Sequence, residues 1–161
     1  MQTINNNHLE LNLIDIKQLV PHREPMLLVD RLCQFDELSA QCEHIIRADE
    51  IFFDAQQQAV PSYIGIEYMA QTIAAYAGML ARQRDEAVKA GFLLGSRRIT
   101  CHVSEFALGQ RLLINVTELH REASGLSVFQ CQIEADQQCL VEANVNVFQP
   151  PNFEQYLRGS L

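Results

Sequence analysis

The chain has no tryptophan, only 7 glycines and 5 prolines in 161 residues, and no surplus of positive charge. Aromatics make up 7% of it. With 12 Lys and Arg against 20 Asp and Glu, its formal net charge is -8. A nucleic-acid binder should carry a basic excess, so that class is excluded. No two of the five cysteines (Cys33, Cys42, Cys101, Cys131 and Cys139) form a CxxC pair, and their number is odd. They read as buried or idle thiols of a reducing compartment rather than a disulfide or zinc framework. The N-terminal stretch lacks a basic segment followed by a long apolar run, so no signal peptide is expected, and a cytoplasmic location follows. The most hydrophobic window, residues 59–81, is interrupted by Pro61, Ser62, Glu67 and Gln71. A carboxylate near the centre of a membrane span costs a few kcal/mol, so a helix buried in a soluble core is the better reading.

What is present is apolar sequence, at 48%, enough for one sizeable core in one domain spanning 1–161. Residues 1–12 and the tail 150–161 read as loose ends. A short helix is expected over 14–20, and the Pro21-His-Arg-Glu-Pro25 stretch as an extended connector. Alternating patterns predict strands over 26–35 and 40–47, the second with Ala40, Cys42, His44 and Ile46 on one face. Residues 61–84 carry the one long helical pattern. It is about 36 Å long and apolar nearly all round, so protein should enclose it. Four strand-like runs close the chain, over 92–106, 111–119, 126–135 and 140–148. Phe129, Cys131, Ile133 and Ala135 share one face, as do Val141, Ala143, Val145 and Val147. Two strands, one long helix and four more strands predict an α+β hot-dog fold, a curved antiparallel sheet wrapped around a central helix.

Glu67 is the most informative residue, a carboxyl about two turns into a helix with no polar face. Burying it unpaired costs several kcal/mol. Desolvation would raise its pKa and let it act as a general acid. Alternatively it hydrogen-bonds Gln71, four residues on, or a loop. The amides near Ser62 and Tyr63 sit at the positive end of the helix and suit a carbonyl or oxyanion. Gly65 admits a close approach by a ligand or packs on the sheet. Of the five histidines, His22 is set apart by the prolines on either side of it. No histidine has convincing spacing to another ligand for a metal. Residues 82–98 concentrate Arg82, Arg84, Arg97 and Arg98 in an otherwise acidic chain, a patch that could dock an acidic partner or a phosphate, or be a solvated helix end.

Two motifs carry a resemblance. Leu19-Val-Pro-His-Arg-Glu-Pro-Met-Leu-Leu-Val-Asp-Arg31 resembles the opening motif of hot-dog 3-hydroxyacyl-[acyl carrier protein] dehydratases. Pro61-Ser-Tyr-Ile-Gly-Ile-Glu-Tyr-Met-Ala-Gln71 resembles their central-helix motif, with Glu67 at the catalytic acid position. With Phe92-Leu-Leu-Gly-Ser-Arg-Arg98 the likeness extends to a divergent dehydratase branch of aryl-polyene pigment pathways. It implies dehydration of 3-hydroxyacyl thioesters to trans-2-enoyl thioesters, in lipid or polyketide-like biosynthesis. It implies substrate borne on the phosphopantetheine of an acyl carrier protein, with no other cofactor and no metal. It implies assembly with a second hot-dog subunit, identical or different. Ser62, Tyr63, Gly65 and Gln71 become substrate-binding candidates, and Arg82, Arg84, Arg97 and Arg98 carrier-docking ones. The family's usual histidine before the helix is absent from Phe53-Asp-Ala-Gln-Gln-Gln-Ala-Val-Pro61. The base is then His22, or Asp54, or a group on a partner subunit. A non-catalytic partner subunit and an acyl thioesterase on the same fold are the alternative functions.

Overall fold

A computed structural model describes residues 10–159. Eight strands form, β1 (Arg31–Phe35), β2 (Ser39–Ile45), β3 (Ala59–Pro61), β4 (Phe92–Cys101), β5 (Glu105–Ala107), β6 (Arg111–Arg121), β7 (Leu126–Ala135) and β8 (Gln138–Phe148). Six of them make one antiparallel sheet in the order β1-β2-β6-β7-β8-β4, and β3 pairs with β5 apart from it. Helix α1 (Gly65–Gln83) packs on the inner face of the large sheet. The inward set of β2 is as expected, with Ala40, Cys42, His44 and Ile46 all buried. So are Phe129, Cys131, Ile133 and Ala135 of β7 and Val141, Ala143 and Val145 of β8. Each large apolar side chain so enclosed contributes about 1.5–3 kcal/mol. Tyr68, Met69, Ile73 and Tyr76 bring the helix into the same core. None of the five cysteines is in a disulfide, and Cys101 is exposed.

Several boundaries differ from expectation for identifiable reasons. The strand expected over 26–35 begins only at Arg31, because the Met26 carbonyl and the Leu28 amide are bound by the buried Gln71 side chain. The run expected over 92–106 breaks after Cys101, and Glu105–Ala107 pairs with β3 instead. The helix starts as a tight 3₁₀ turn, Ser62–Ile64, so its α-helical part is about 28 Å long. The tail is ordered into a helix through its described part. It forms helix α2 (Phe153–Gly159), whose Phe153 ring stacks on Phe92 with centroids 6.1 Å apart. At the other end Leu11 is buried and Asn12 accepts from Arg31 at 2.8 Å, while residues 1–9 lie outside the described part. Among the described residues no helix is long and apolar enough to cross a membrane.

Helix α1 is held close to the connector before β1. A Cβ built on Gly78 would come 2.0 Å from the Leu19 carbonyl oxygen. Backbone cannot yield as a side-chain tip can, so Gly78→Ala should lower stability by about 1–3 kcal/mol or more. A urea-unfolding midpoint checks this. An unchanged midpoint would mean that the helix and connector are not in contact in solution.

Candidate active site

The connector is built so that His22 cannot wander. Asp15 caps the 3₁₀ turn Ile16–Gln18 by accepting from the Lys17 amide at 2.9 Å. Leu19 and Val20 are then fully buried. Arg23 laces the segment by donating to the carbonyls of Lys17, Val20 and His22. Across from it, Gln71 is buried on α1 and spends its whole amide on the site. Its Oε1 accepts from the Leu28 amide at 2.8 Å, and its Nε2 donates to the Met26 carbonyl at 2.7 Å and to Glu67 Oε1 at 3.0 Å. One side chain therefore fixes both the connector and the acid.

The result is a facing pair. His22 Nε2 lies 3.9 Å from Glu67 Oε1. That is too long for a direct hydrogen bond but short enough for one reacting centre to touch both. Burial holds the His22 imidazole below its usual 6.5, with the Glu67 charge pulling the other way. It is therefore mostly neutral near pH 7, the form a base needs. Its Nδ1 is buried and has no hydrogen-bond partner among the described residues.

Glu67 is less enclosed than expected, with 27% of its side chain exposed. The reason is that α1 is not covered all round. Glu67, Ala70, Ala74 and Ala77, at helical spacing, leave one stripe facing a cavity of about 560 Å³. Small residues on this stripe leave the space that larger ones would fill. Phe129, Val147 and Phe148 form the opposite apolar wall. His22 and Glu67 stand in the lining with Pro21, and Arg84, Lys89 and Arg121 belong to it toward the C-terminal end of the helix. Gln83, the last residue of α1, is about 24 Å along the axis from Glu67. The volume and lining are those of a site for a small apolar ligand with a few fixed polar groups.

The remaining expected site residues are distributed otherwise. The Ser62 amide already donates to the Ser104 carbonyl at 3.0 Å, so it is not available to a substrate carbonyl. Tyr63, next in the same turn, is exposed. Gly65 faces the sheet, where an added Cβ would sit 2.7 Å from Ile133 Cδ1. It is a packing glycine and not part of the ligand site. Asp54 is exposed, accepts from the Gln56 and Gln57 amides, and does not line the cavity. The four arginines do not share one depression. Arg84 lines the cavity, Arg98 lies in a polar groove on the outer sheet face, and Arg82 and Arg97 are exposed. Arg121, which the sequence reading passed over, lines the cavity while paired with Glu118 at 2.7 Å.

A second polar cluster lies apart from the cavity. His44 is wholly buried between Asp30 and Glu50, with Nδ1 3.3 Å from Asp30 Oδ1 and Nε2 against the Glu50 carboxylate. Burial alone would lower its pKa, but the two carboxylates raise it above the ordinary value. Burial opposes ionisation of Asp30 too, yet His44, Arg47 and the Ile45 amide hold it at about 2. Asp30 ties the segment before β1 to β2 and its end by accepting from the Ile45 amide at 2.8 Å and from Arg47 at 2.9 Å.

A central helix half-wrapped by one antiparallel sheet is the hot-dog fold, and this is a hot-dog protein of the dehydratase type. It belongs to the ApeP-like family, described as ApeP dehydratase, whose family model matches residues 14–158. The chain is similar to a 3-hydroxyacyl-[acyl-carrier-protein] dehydratase FabZ of Pseudothermotoga lettingae, with 43% identity over 81 residues. That match takes in 48% of this chain and spans 55%, about half, of the relative's length. A FabZ of Streptococcus pneumoniae is 28% identical over 130 residues, covering 78% of this chain and 89% of the relative. Among solved structures, the dehydratase heterocomplex ApeI:P from Xenorhabdus doucetiae superposes with a TM-score of 0.82 at 27% identity, over 91% of this chain and 97% of that one.

Proposed function

We propose that the chain is the working subunit of a 3-hydroxyacyl-thioester dehydratase whose substrate rides on an acyl carrier protein. One observation carries this reading: His22 and Glu67 face each other at 3.9 Å in the lining of an apolar cavity. The acyl chain would lie along the Ala70, Ala74 and Ala77 stripe. His22 Nε2 removes the proton α to the thioester. The carboxylic acid of Glu67 protonates the departing 3-hydroxyl, so that water and a trans-2-enoyl thioester leave together. The thioester carbonyl would meet the start of the helix, whose positive dipole end stabilises developing negative charge. No metal, nucleotide or other resident cofactor takes part.

A second subunit fits this reading. Strand β4 pairs with β8 on one side and ends the sheet on the other, and it exposes Phe92, Leu93, Leu94 and Ile99. A long apolar edge strand of that kind is normally covered. A site completed by a different hot-dog subunit is the second reading, supported by the similarity to the dehydratase heterocomplex ApeI:P.

The test is a purified-protein assay with 3-hydroxyacyl carrier protein, run alone and with a separate hot-dog dehydratase subunit. Enoyl thioester from the chain alone supports the first reading, and enoyl thioester only after addition of the partner supports the second. Release of free acid instead would identify a thioesterase and overturn both. For carrier docking we assign Arg97 and Arg98, both exposed on β4. Changing both to Glu should lower kcat/KM on carrier-bound substrate about tenfold or more while sparing small thioester mimics. An equal loss on both substrates would reject this docking surface.

A further inference from the structure

Three donor groups meet at the opposite end of β4 from its Phe92 start. His102 follows β4 directly, and its backbone amide donates to the Leu140 carbonyl at 2.8 Å. Cys139 and Glu142 lie on β8. The His102 imidazole, the Cys139 sulfur and a Glu142 oxygen are all within 4.8 Å of one another, the one such group of three found among the described residues. Glu142 Oε2 is 3.9 Å from His102 Nε2 and 3.7 Å from Cys139 Sγ.

These separations can be compared with what a tetrahedral cation requires. Zinc takes sulfur at about 2.3 Å and nitrogen or oxygen at about 2.0–2.2 Å. Tetrahedral angles then put a sulfur and an oxygen ligand about 3.6 Å apart, and a nitrogen and an oxygen about 3.4 Å apart. The sulfur–oxygen spacing exceeds its value by about 0.1 Å and the nitrogen–oxygen spacing by about 0.5 Å, with all three donors within 4.8 Å of one another, and rotations of these partly exposed side chains can close the gaps. Thiolate, imidazole and carboxylate together select a borderline-soft ion over magnesium or calcium. Glu142 shares its groove with Arg98 yet turns Oε2 toward His102 and Cys139. Glu134, the register partner of Cys139 on β7, adds a second carboxylate nearby.

We propose that His102, Cys139 and Glu142 form a binding site for a zinc-class divalent cation, with water in the fourth position, that staples the end of β4 to the β7–β8 hairpin. The expectation of idle thiols does not hold for Cys139 on this reading. The cavity and its chemistry are not involved, so the site stands or falls independently of the proposed dehydration.

The full chain, purified with chelator and then freed of it, should bind one zinc ion in a competition titration against a chromophoric chelator. Binding should also raise the melting temperature, and magnesium should do neither. Cys139→Ser and His102→Ala should each weaken zinc binding at least about tenfold, while the zinc-free melting temperatures stay near that of the parent. Cobalt in place of zinc should give a near-ultraviolet thiolate-to-metal band that disappears in Cys139→Ser. It should persist in Cys101→Ser, the exposed neighbouring thiol. Absence of zinc binding, or binding of undiminished strength in Cys139→Ser, overturns the proposal, as does a cobalt band that follows Cys101.

Discussion

Glu67→Gln is expected to lower kcat for dehydration by about 100-fold or more. The amide has the shape of the acid but no proton to give to a departing hydroxyl. The fold should tolerate the change well. Gln71 Nε2 now donates to Glu67 Oε1 at 3.0 Å, and the oxygen of a glutamine there can accept the same bond. The side chain is partly exposed to the cavity, so an amide in its place is not left fully buried without a partner. KM should move little, because in the proposed binding mode the acyl chain would contact the alanine stripe with Phe129 and Val147, which also line the cavity. Steady-state kinetics with carrier-bound substrate, alongside a melting curve, measures both parts. Normal turnover in this variant would remove Glu67 from the chemistry.

His22→Ala should cost about as much, and it should also alter the pH profile. The base works only when unprotonated. Burial sets the His22 imidazole below 6.5, so the acid-side decline of wild-type kcat/KM that reports loss of the base should lie below that value. The direction follows from the lowered pKa, since protonation that disables the base comes later on the acid side. In His22→Ala that acidic decline should vanish from the residual rate. If the variant retains wild-type activity, the base belongs to another group, with Asp54 or a second subunit next in line. Asp54 would have to reach the cavity from an exposed turn in which its own carboxylate is already used by two backbone amides.

Much of this arrangement was legible along the chain. Alternation marked the inward faces of β2, β7 and β8 residue by residue, because a half-buried strand has a strict period of two. The alanine-rich pattern marked the helix, and the two quoted motifs singled out His22 and Glu67. The uncovered stripe was not legible. Alanine reads as core in any helical pattern, and whether space lies over it depends on how far the sheet curls. The loss of the Ser62 amide to Ser104 depends on a pairing across 42 positions, which no local pattern carries. Gly65 was ambiguous for the same reason, since its neighbour Ile133 comes from a distant strand. Gln71 was visible as a partner for Glu67 at four residues' spacing, but its grip on Met26 and Leu28 emerges only once the connector folds back on α1. Period placed His44 on one face with Ala40, Cys42 and Ile46, but gave neither its burial nor the two carboxylates that accompany it.

Dehydration as proposed requires one imidazole and one carboxyl to act on the same substrate in the same step. The most direct measurement is a double-variant cycle on the assembled enzyme, with single-turnover rates for the parent, His22→Ala, Glu67→Gln and the two combined. Groups that act as a unit are not additive. The combined variant should therefore be no more than a few-fold slower than either single one, with the 3-hydroxyacyl thioester recovered unchanged. Losses that multiply in full, or a combined variant that still releases enoyl thioester at the parental rate, would contradict it.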